Sequence, residues 1–191
     1  NNVDYWNPKK ALVLGAGTIG ILETLLLRNY GIDEVYVAAK SEKGNLKSRI
    51  IEEIGASYIS TPDSSIQQIA KDIGNLDIIM ESTGSSYMAA EAMKCIGING
   101  ILCLTSVTGG NEKISFPIAR VNFDMVLGNK TIIGVVNAHI TDFISGVSHL
   151  REFERKWQGL LKRLITREVS WNDYKTLFDV EKNDIKVVFN V

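Results

Sequence analysis

Two hydrophobic periods alternate along this chain. Short apolar runs bounded by glycine, asparagine or serine predict strands at Ala11–Leu14, Glu34–Ala39, Ser57–Ser60, Leu76–Glu81, Ile101–Thr105 and Lys130–Val136. Stretches with helical spacing lie between them. They predict helices from about Thr18 to Tyr30, near Asn45–Ile54, over Ser64–Asp72 and over Tyr87–Ile96. Gly31 and Gly55 stand where helix-ending residues belong. Strands alternating with helices at this spacing imply an α/β fold with a parallel, doubly wound sheet of six strands. Nearly continuous apolar strands fit a sheet covered on both faces. Thr108–Asn111 is predicted as a polar loop, and no element is assigned between it and Lys130.

The pattern changes after Asn137. Asp142–Leu161 carries Phe143, Val147, Leu150, Phe153, Trp157 and Leu160 close to helical spacing, which predicts one long helix. Leu164–Val169 and Ile185–Phe189 then read as strands flanking a short helix near Asn172–Phe178. This strand–helix–strand tail does not continue the alternation. The expected division is a main domain over residues 1–160 and a tail over 161–191.

The most specific motif is Gly15-Ala16-Gly17-Thr18-Ile19-Gly20, set between the first strand and the first helix. Its parts have separate physical reasons. Gly15 permits the tight turn, Gly17 lets a pyrophosphate approach the backbone, and Gly20 lets helix and strand pack closely. The helix start adds unpaired N–H groups and partial positive charge, so Thr18 and Ile19 are candidate phosphate contacts with the glycines. Thr83 and Gly84 follow the fourth strand, at the end of an open sheet where ligands bind, and Thr83 is a further cofactor candidate.

The end of the second strand bears on which dinucleotide fits. Selectivity for NAD uses an acid there to hold the ribose 2′-OH. This chain has Ala38-Ala39-Lys40-Ser41 instead, with Lys43 and Lys47 nearby. Lys40 and Ser41 suit a 2′-phosphate, which favours NADP and leaves NAD as the alternative. Glu42 would reach the ribose if the strand ended one residue later.

Composition narrows the class. The chain has 191 residues, formal net charge −1 and 45% hydrophobic residues. No global field points to nucleic acid or to an anionic membrane. No apolar stretch is long enough to span a bilayer, and no basic, then apolar, leader opens the sequence. A cytoplasmic location is therefore expected. Cys95 and Cys103 are the only cysteines. Their spacing matches neither a zinc knuckle nor a disulfide framework, so they are expected as reduced, buried small hydrophobes.

At this point the residues carry a resemblance. The glycine motif, Asp77-Ile78-Ile79 before Ser82-Thr83-Gly84, and Asn99-Gly100-Ile101-Leu102 resemble the Rossmann-type cofactor domain of medium-chain dehydrogenases. Asn129–Asn137 and Asn183–Val188 are similar to archaeal glucose dehydrogenases, which oxidise aldoses with NAD or NADP. The resemblance implies that Thr105, Ser106 and Val107 lie over the nicotinamide, where family positions are often aromatic. It implies that Val135, Val136 and Asn137 lie beside the ring, and that Lys40 and Ser41 meet the 2′-phosphate, where a family pattern has arginine. It also implies a catalytic zinc held by Cys, His and carboxylate residues in an N-terminal domain, and homo-oligomers formed through sheet edges. This chain then reads as the cofactor half of a two-domain enzyme acting on a sugar or alcohol, with no catalytic or metal residue of its own.

Other candidates read as structural. Tyr36 and Lys40 have the spacing of a short-chain dehydrogenase dyad, but on a strand they do not adjoin. His139 and His149 titrate near neutrality and could be acid–base groups, yet packed or surface roles are commoner. Asp77 reads as a structural acid, and Trp6, Trp157 and Trp171 as packing residues. Gly109-Gly110 is either a phosphate nest or a turn. Arg151, Arg155, Lys156, Lys162 and Arg163 form a basic face interleaved with Glu152 and Glu154, which argues against nucleic acid. Two other functions compete with a dehydrogenase domain: a nucleotide-sensing regulatory domain, and a methyltransferase, which would want an acid at the end of the second strand.

Overall fold

The computed structural model describes residues 6–62, 64–109, 111, 113–179, 181 and 183–190. The strands are β1 (Lys10–Leu14), β2 (Glu34–Ala39), β3 (Ser57–Ser60), β4 (Ile78–Glu81), β5 (Ile101–Leu104) and β6 (Thr131–Gly134). They form one parallel sheet in the order β3-β2-β1-β4-β5-β6. The helices between them are α1 (Thr18–Asn29), α2 (Leu46–Glu53), α3 (Ile66–Ile73), α4 (Ser86–Cys95) and α5 (Ile118–Leu127). Sequence order runs outward from β1 in one direction and outward from β4 in the other. The chain therefore reverses between β1 and β4, which opens a crevice at their C-terminal ends.

β1 sits at the centre, with Ala11, Leu12, Val13 and Leu14 wholly buried. Its pleat sends alternate side chains to opposite faces. Ala11 and Val13 pack in a cluster with Ile21 and Leu25 of α1 and Ile50 and Ile51 of α2. Leu12 and Leu14 pack with Ile66, Ile69 and Ile73 of α3 and Ala92 of α4. These two clusters make the doubly covered sheet that the apolar strands predict. Side-chain caps fix three of the helix starts: Asn45 accepts from Ser48 N, Ser65 from Gln68 N, and Ser85 from Met88 N.

The structure departs from the sequence expectation in four places. Helix α5 lies in the stretch given no element. Only Val121 of it is buried, and Ile118, Phe123, Val126 and Leu127 face outward, so no single apolar stripe marks it. The long helix after Asn137 is two: α6 (Ile140–Lys156) and α7 (Leu160–Leu164), separated by Gly159 at φ +75°. The short helix in the tail is a 3-10 helix, Trp171–Phe178, broken at Asp173. It lies between β7 (Ile165–Ser170) and β8 (Lys186–Asn190), which pair in parallel as a separate small sheet. Finally, Cys95 and Cys103 are free but only half-buried. Burial still raises both thiols, Cys95 to about 11.

The tail is tied to the main sheet. Phe153, Leu160, Leu164 and Ile185 belong to the same cluster as α1 and α2. The Thr18 hydroxyl donates to the Ile185 carbonyl, and Arg163 donates to both carboxylate oxygens of Glu53. The structural reading of Asp77 matches its contacts: Oδ2 accepts from the N–H groups of Lys9 and Lys10. Tyr36 donates to Glu34 and does not meet Lys40. His139 caps α6 and His149 meets Tyr30, both far along the chain from the glycine turn. Gly110 lies outside the described residues.

Candidate functional site

A cleft of about 430 Å³ lies over the C-terminal ends of β1, β2 and β4. It is lined by Gly15, Ala16 and Gly17 of the glycine turn, Lys40 and Ser41 after β2, Lys47 of α2, and Ser82, Thr83 and Ser85 after β4, together with Ala38, Ala39, Thr61 and Met88. Five of the candidate residues thus meet in one place: Gly15, Gly17, Lys40, Ser41 and Thr83.

The glycine turn has the local geometry its sequence calls for. Gly15 adopts φ +111°, a region that L side chains rarely enter. A Cβ at Gly20 would lie 2.0 Å from the Gly15 carbonyl oxygen, so only glycine lets α1 start this close to β1. A Cβ at Gly17 would meet nothing within 4 Å. The backbone there is open to an incoming group. Gly17 caps α1 without a side-chain hydrogen bond, which leaves the first-turn N–H groups free to meet an acceptor.

The cleft is electropositive on the β2 side. Lys43 is drawn off by Glu52, at 2.9 Å. Lys40 and Lys47 have no ion-pair partner among the described residues, and both line the cleft. Glu42 does not line it. The Ser41 hydroxyl lies 2.7 Å from the Tyr58 hydroxyl, so part of its hydrogen-bonding capacity is committed.

The remaining candidates lie outside this cleft. Thr18 spends its hydroxyl on Ile185, and Ile19 is half-exposed beside it. Gly20 serves packing. Thr105 donates to Glu23 at 2.7 Å and to the Glu81 carbonyl at 2.9 Å. Val107 is 82% exposed, Val135 is 48% exposed, and Asn137 is exposed beyond β6. Sequence reasoning named Lys47 only as nearby charge and missed Thr61, Ser82, Ser85 and Met88. The serines carry a usable signal, since they flank Thr83 at a strand end. Thr61 and Met88 are brought in by tertiary packing alone.

Two buried carboxyls lie under the β4 and β5 ends. Glu81 is wholly buried, and Glu23 is 8% exposed. Burial raises the Glu23 carboxyl, opposed by the hydrogen bond from Thr105 and by the nearby Ser82 hydroxyl and reinforced by the charge of Glu81. Among the described residues, no group of three or more His, Cys, Asp or Glu could hold a metal ion.

A doubly wound parallel sheet with a glycine turn at its switch point defines a nucleotide-binding class of α/β domain. Within that class the family is specific. The whole chain, residues 1–191, matches the family described as glucose dehydrogenase C-terminus, and the chain belongs to that family. It is 39% identical over 186 residues to glucose 1-dehydrogenase of Methanocella arvoryzae, covering 97% of this chain and 52% of that protein. It is 33% identical over 186 residues to glucose 1-dehydrogenase 1 of Caldivirga maquilingensis, covering 97% of this chain and 51% of that protein. Glucose dehydrogenase from Haloferax mediterranei superposes with a TM-score of 0.88 at 25% identity, over 97% of this chain and 52% of the other. The same enzyme is also known in complex with NADP, Zn and gluconolactone, a fold match with a TM-score of 0.89 at 24% identity, over 97% of this chain and 52% of the other. The chain spans about half the length of the relatives it matches.

Proposed function

We propose that this chain is the cofactor-binding half of an NADP-dependent glucose dehydrogenase of the zinc type, with NAD as the weaker ligand. The observation that carries the reading is the cleft itself: an open glycine backbone at an uncapped helix start, facing two cations that have no ion-pair partner among the described residues. The residues fit such a cofactor. Gly17 leaves room for a pyrophosphate, and the first-turn N–H groups of α1 meet it as donors. Lys40 and Lys47 oppose the charge of a 2′-phosphate, and among the described residues no carboxylate lines that end of the cleft to repel it. Thr83 and Ser85 supply hydroxyls toward the β4 side. The nicotinamide supplies hydride transfer when bound. This chain orients the cofactor and shields it from water on one face.

The metal and the sugar site belong, in this reading, to the other half of the enzyme, and this chain alone turns over no glucose. The full enzyme is proposed to act on a glucose-like aldose or an alcohol in the cytoplasm. We also propose a homo-oligomer. β6 pairs only with β5 among the described residues, and exposed Ile133 on it and Val136 just beyond it leave an apolar sheet edge that a second copy would cover.

The test is a fluorescence titration of the chain with NADPH and with NADH. Tighter binding of NADPH supports the reading, and Lys40→Ala should then weaken NADPH more than NADH. Binding of neither overturns it. A sensing domain without chemistry would bind cofactor equally well, and is separated by glucose oxidation in the full-length enzyme.

A further inference from the structure

We infer that Glu81 is a buried clamp that sets the nicotinamide end of the cleft, a positioning residue acting through the loops it joins. The inference rests on the cofactor reading above. Glu81 ends β4, with its side chain wholly buried and no cation within ion-pairing distance among the described residues. Its partners come instead from two loops. Oε1 accepts from the N–H of Thr83 at 2.9 Å and from the Thr83 hydroxyl. Oε2 accepts from the hydroxyl of Ser106, in the loop after β5.

The network runs further through the same groups. Gly84 N–H donates to Ser106 Oγ at 3.0 Å, and Ser85 N–H donates to Thr83 Oγ1 at 3.1 Å. The Gly84 N–H, the Ser106 hydroxyl and Glu81 Oε2 thus form one directed chain of hydrogen bonds. On the main chain, Thr105 N–H and the Thr105 hydroxyl both reach the Glu81 carbonyl, and that hydroxyl also meets Glu23 of α1. The loops after β4 and β5 are therefore fastened at a single buried residue, and the phosphate-facing helix joins them through Thr105.

This fastening lies at a definite place in the site. Ser82, Thr83 and Ser85 line the cleft on the β4 side, across the switch point from Lys40. A dinucleotide gripped at the glycine turn, with its adenosine half over β2, lays its other half over the β4 and β5 ends. Of the two residues that Glu81 holds by its side chain, Thr83 lines the cleft on its β4 side, and Ser106 lies beyond it in the loop after β5. Both carboxylate oxygens are met only by donors, so an amide cannot replace them. In Glu81→Gln the carbonyl oxygen can keep the Thr83 bonds, but the NH₂ then points at Ser106. The Ser106 hydroxyl, which now donates to Oε2, then faces a donor and loses its acceptor.

The experiment compares two probes on the wild-type chain and on Glu81→Gln: NADPH, and 2′-phospho-ADP-ribose, which keeps the adenosine, 2′-phosphate and pyrophosphate but lacks the nicotinamide. The clamp predicts that Glu81→Gln weakens NADPH by roughly tenfold and leaves 2′-phospho-ADP-ribose within about twofold of wild type. Equal weakening of both probes would assign Glu81 to the general fold, and no weakening of either would remove its role. If Glu81→Gln does not fold, Ser106→Ala carries the same test through the half-exposed partner, with the same split expected and the same two results against it. Wild-type chain that binds neither probe would overturn the cofactor reading itself, a result distinct from the others because it needs no variant.

Discussion

At the residue scale, two glycines of one motif do opposite things, and substitution separates them. Gly20→Ala places a methyl 2.0 Å from a backbone oxygen. Alanine gains about 1 kcal/mol of helix propensity there, but the forced shift of α1 against β1 costs more, about 1–3 kcal/mol. We therefore expect a net loss of stability in a urea melt. Gly17→Ala meets open space, so the melt should be unchanged while NADPH binding falls. Loss of stability at Gly17 with binding intact would contradict the assignment. Glu23 allows a further test. Its carboxyl is raised by burial, and Oε2 has no hydrogen-bond partner among the described residues. A raised carboxyl pKa means that the folded state holds its proton more tightly than the unfolded chain. Ionisation therefore costs stability as pH rises above 4.5, and the cost is fully present above the folded-state pKa. Glu23→Gln should stabilise the protein near neutral pH, and the gain should vanish as pH falls below 4.5. Urea melts at the two pH values check this; an equal effect at both would count against it.

At the element scale, legibility follows burial. β1 and α1 are apolar on the faces they bury, so periodicity placed them, and the glycine motif placed the turn between them. Asn45, Ser65 and Ser85 cap three helix starts, a signal that apolar spacing did not use. Helix α5 was invisible because its apolar residues are spread around it and mostly exposed. α6 stops at Lys156 with Trp157 as its C-cap, and Gly159 in the left-handed region opens α7, where spacing alone predicted one continuous helix. The site was legible where it depends on backbone, as at Gly15 and Gly17, or on a strand end, as at Lys40 and Thr83. Thr18 looked available in sequence, but its hydroxyl goes to Ile185, more than a hundred residues away. The packing of α6 and the tail on α1 gives an element-level prediction. Phe153 is 4% exposed in the α1 cluster, so Phe153→Ala should cost about 3–5 kcal/mol. Arg163→Ala, which removes an exposed ion pair with Glu53, should cost under about 1 kcal/mol. Thermal melts of the two variants should differ clearly; similar losses would mean that the tail is held by its surface ion pair.

At the scale of the whole molecule, charge and apolar surface are divided between places. The cleft gathers open backbone and cations that have no ion-pair partner among the described residues, while the β6 edge and the α5 face carry exposed apolar groups. A lysine on that edge should block pairing with a second copy. Ile133→Lys is expected to shift the protein toward monomer in sedimentation, with NADPH binding retained, and an unchanged mass would place any oligomer contact elsewhere. Over the β1, β2 and β4 ends, a helix start and two lysines are proposed to grip a phosphorylated dinucleotide. Backbone amide NMR of the isotope-labelled chain, recorded as NADPH is added, tests it most directly. The account predicts saturable shifts at Gly15, Gly17, Lys40 and Thr83, with little change at β6. Shifts confined to other surfaces, with those four amides unmoved at saturation, would contradict it.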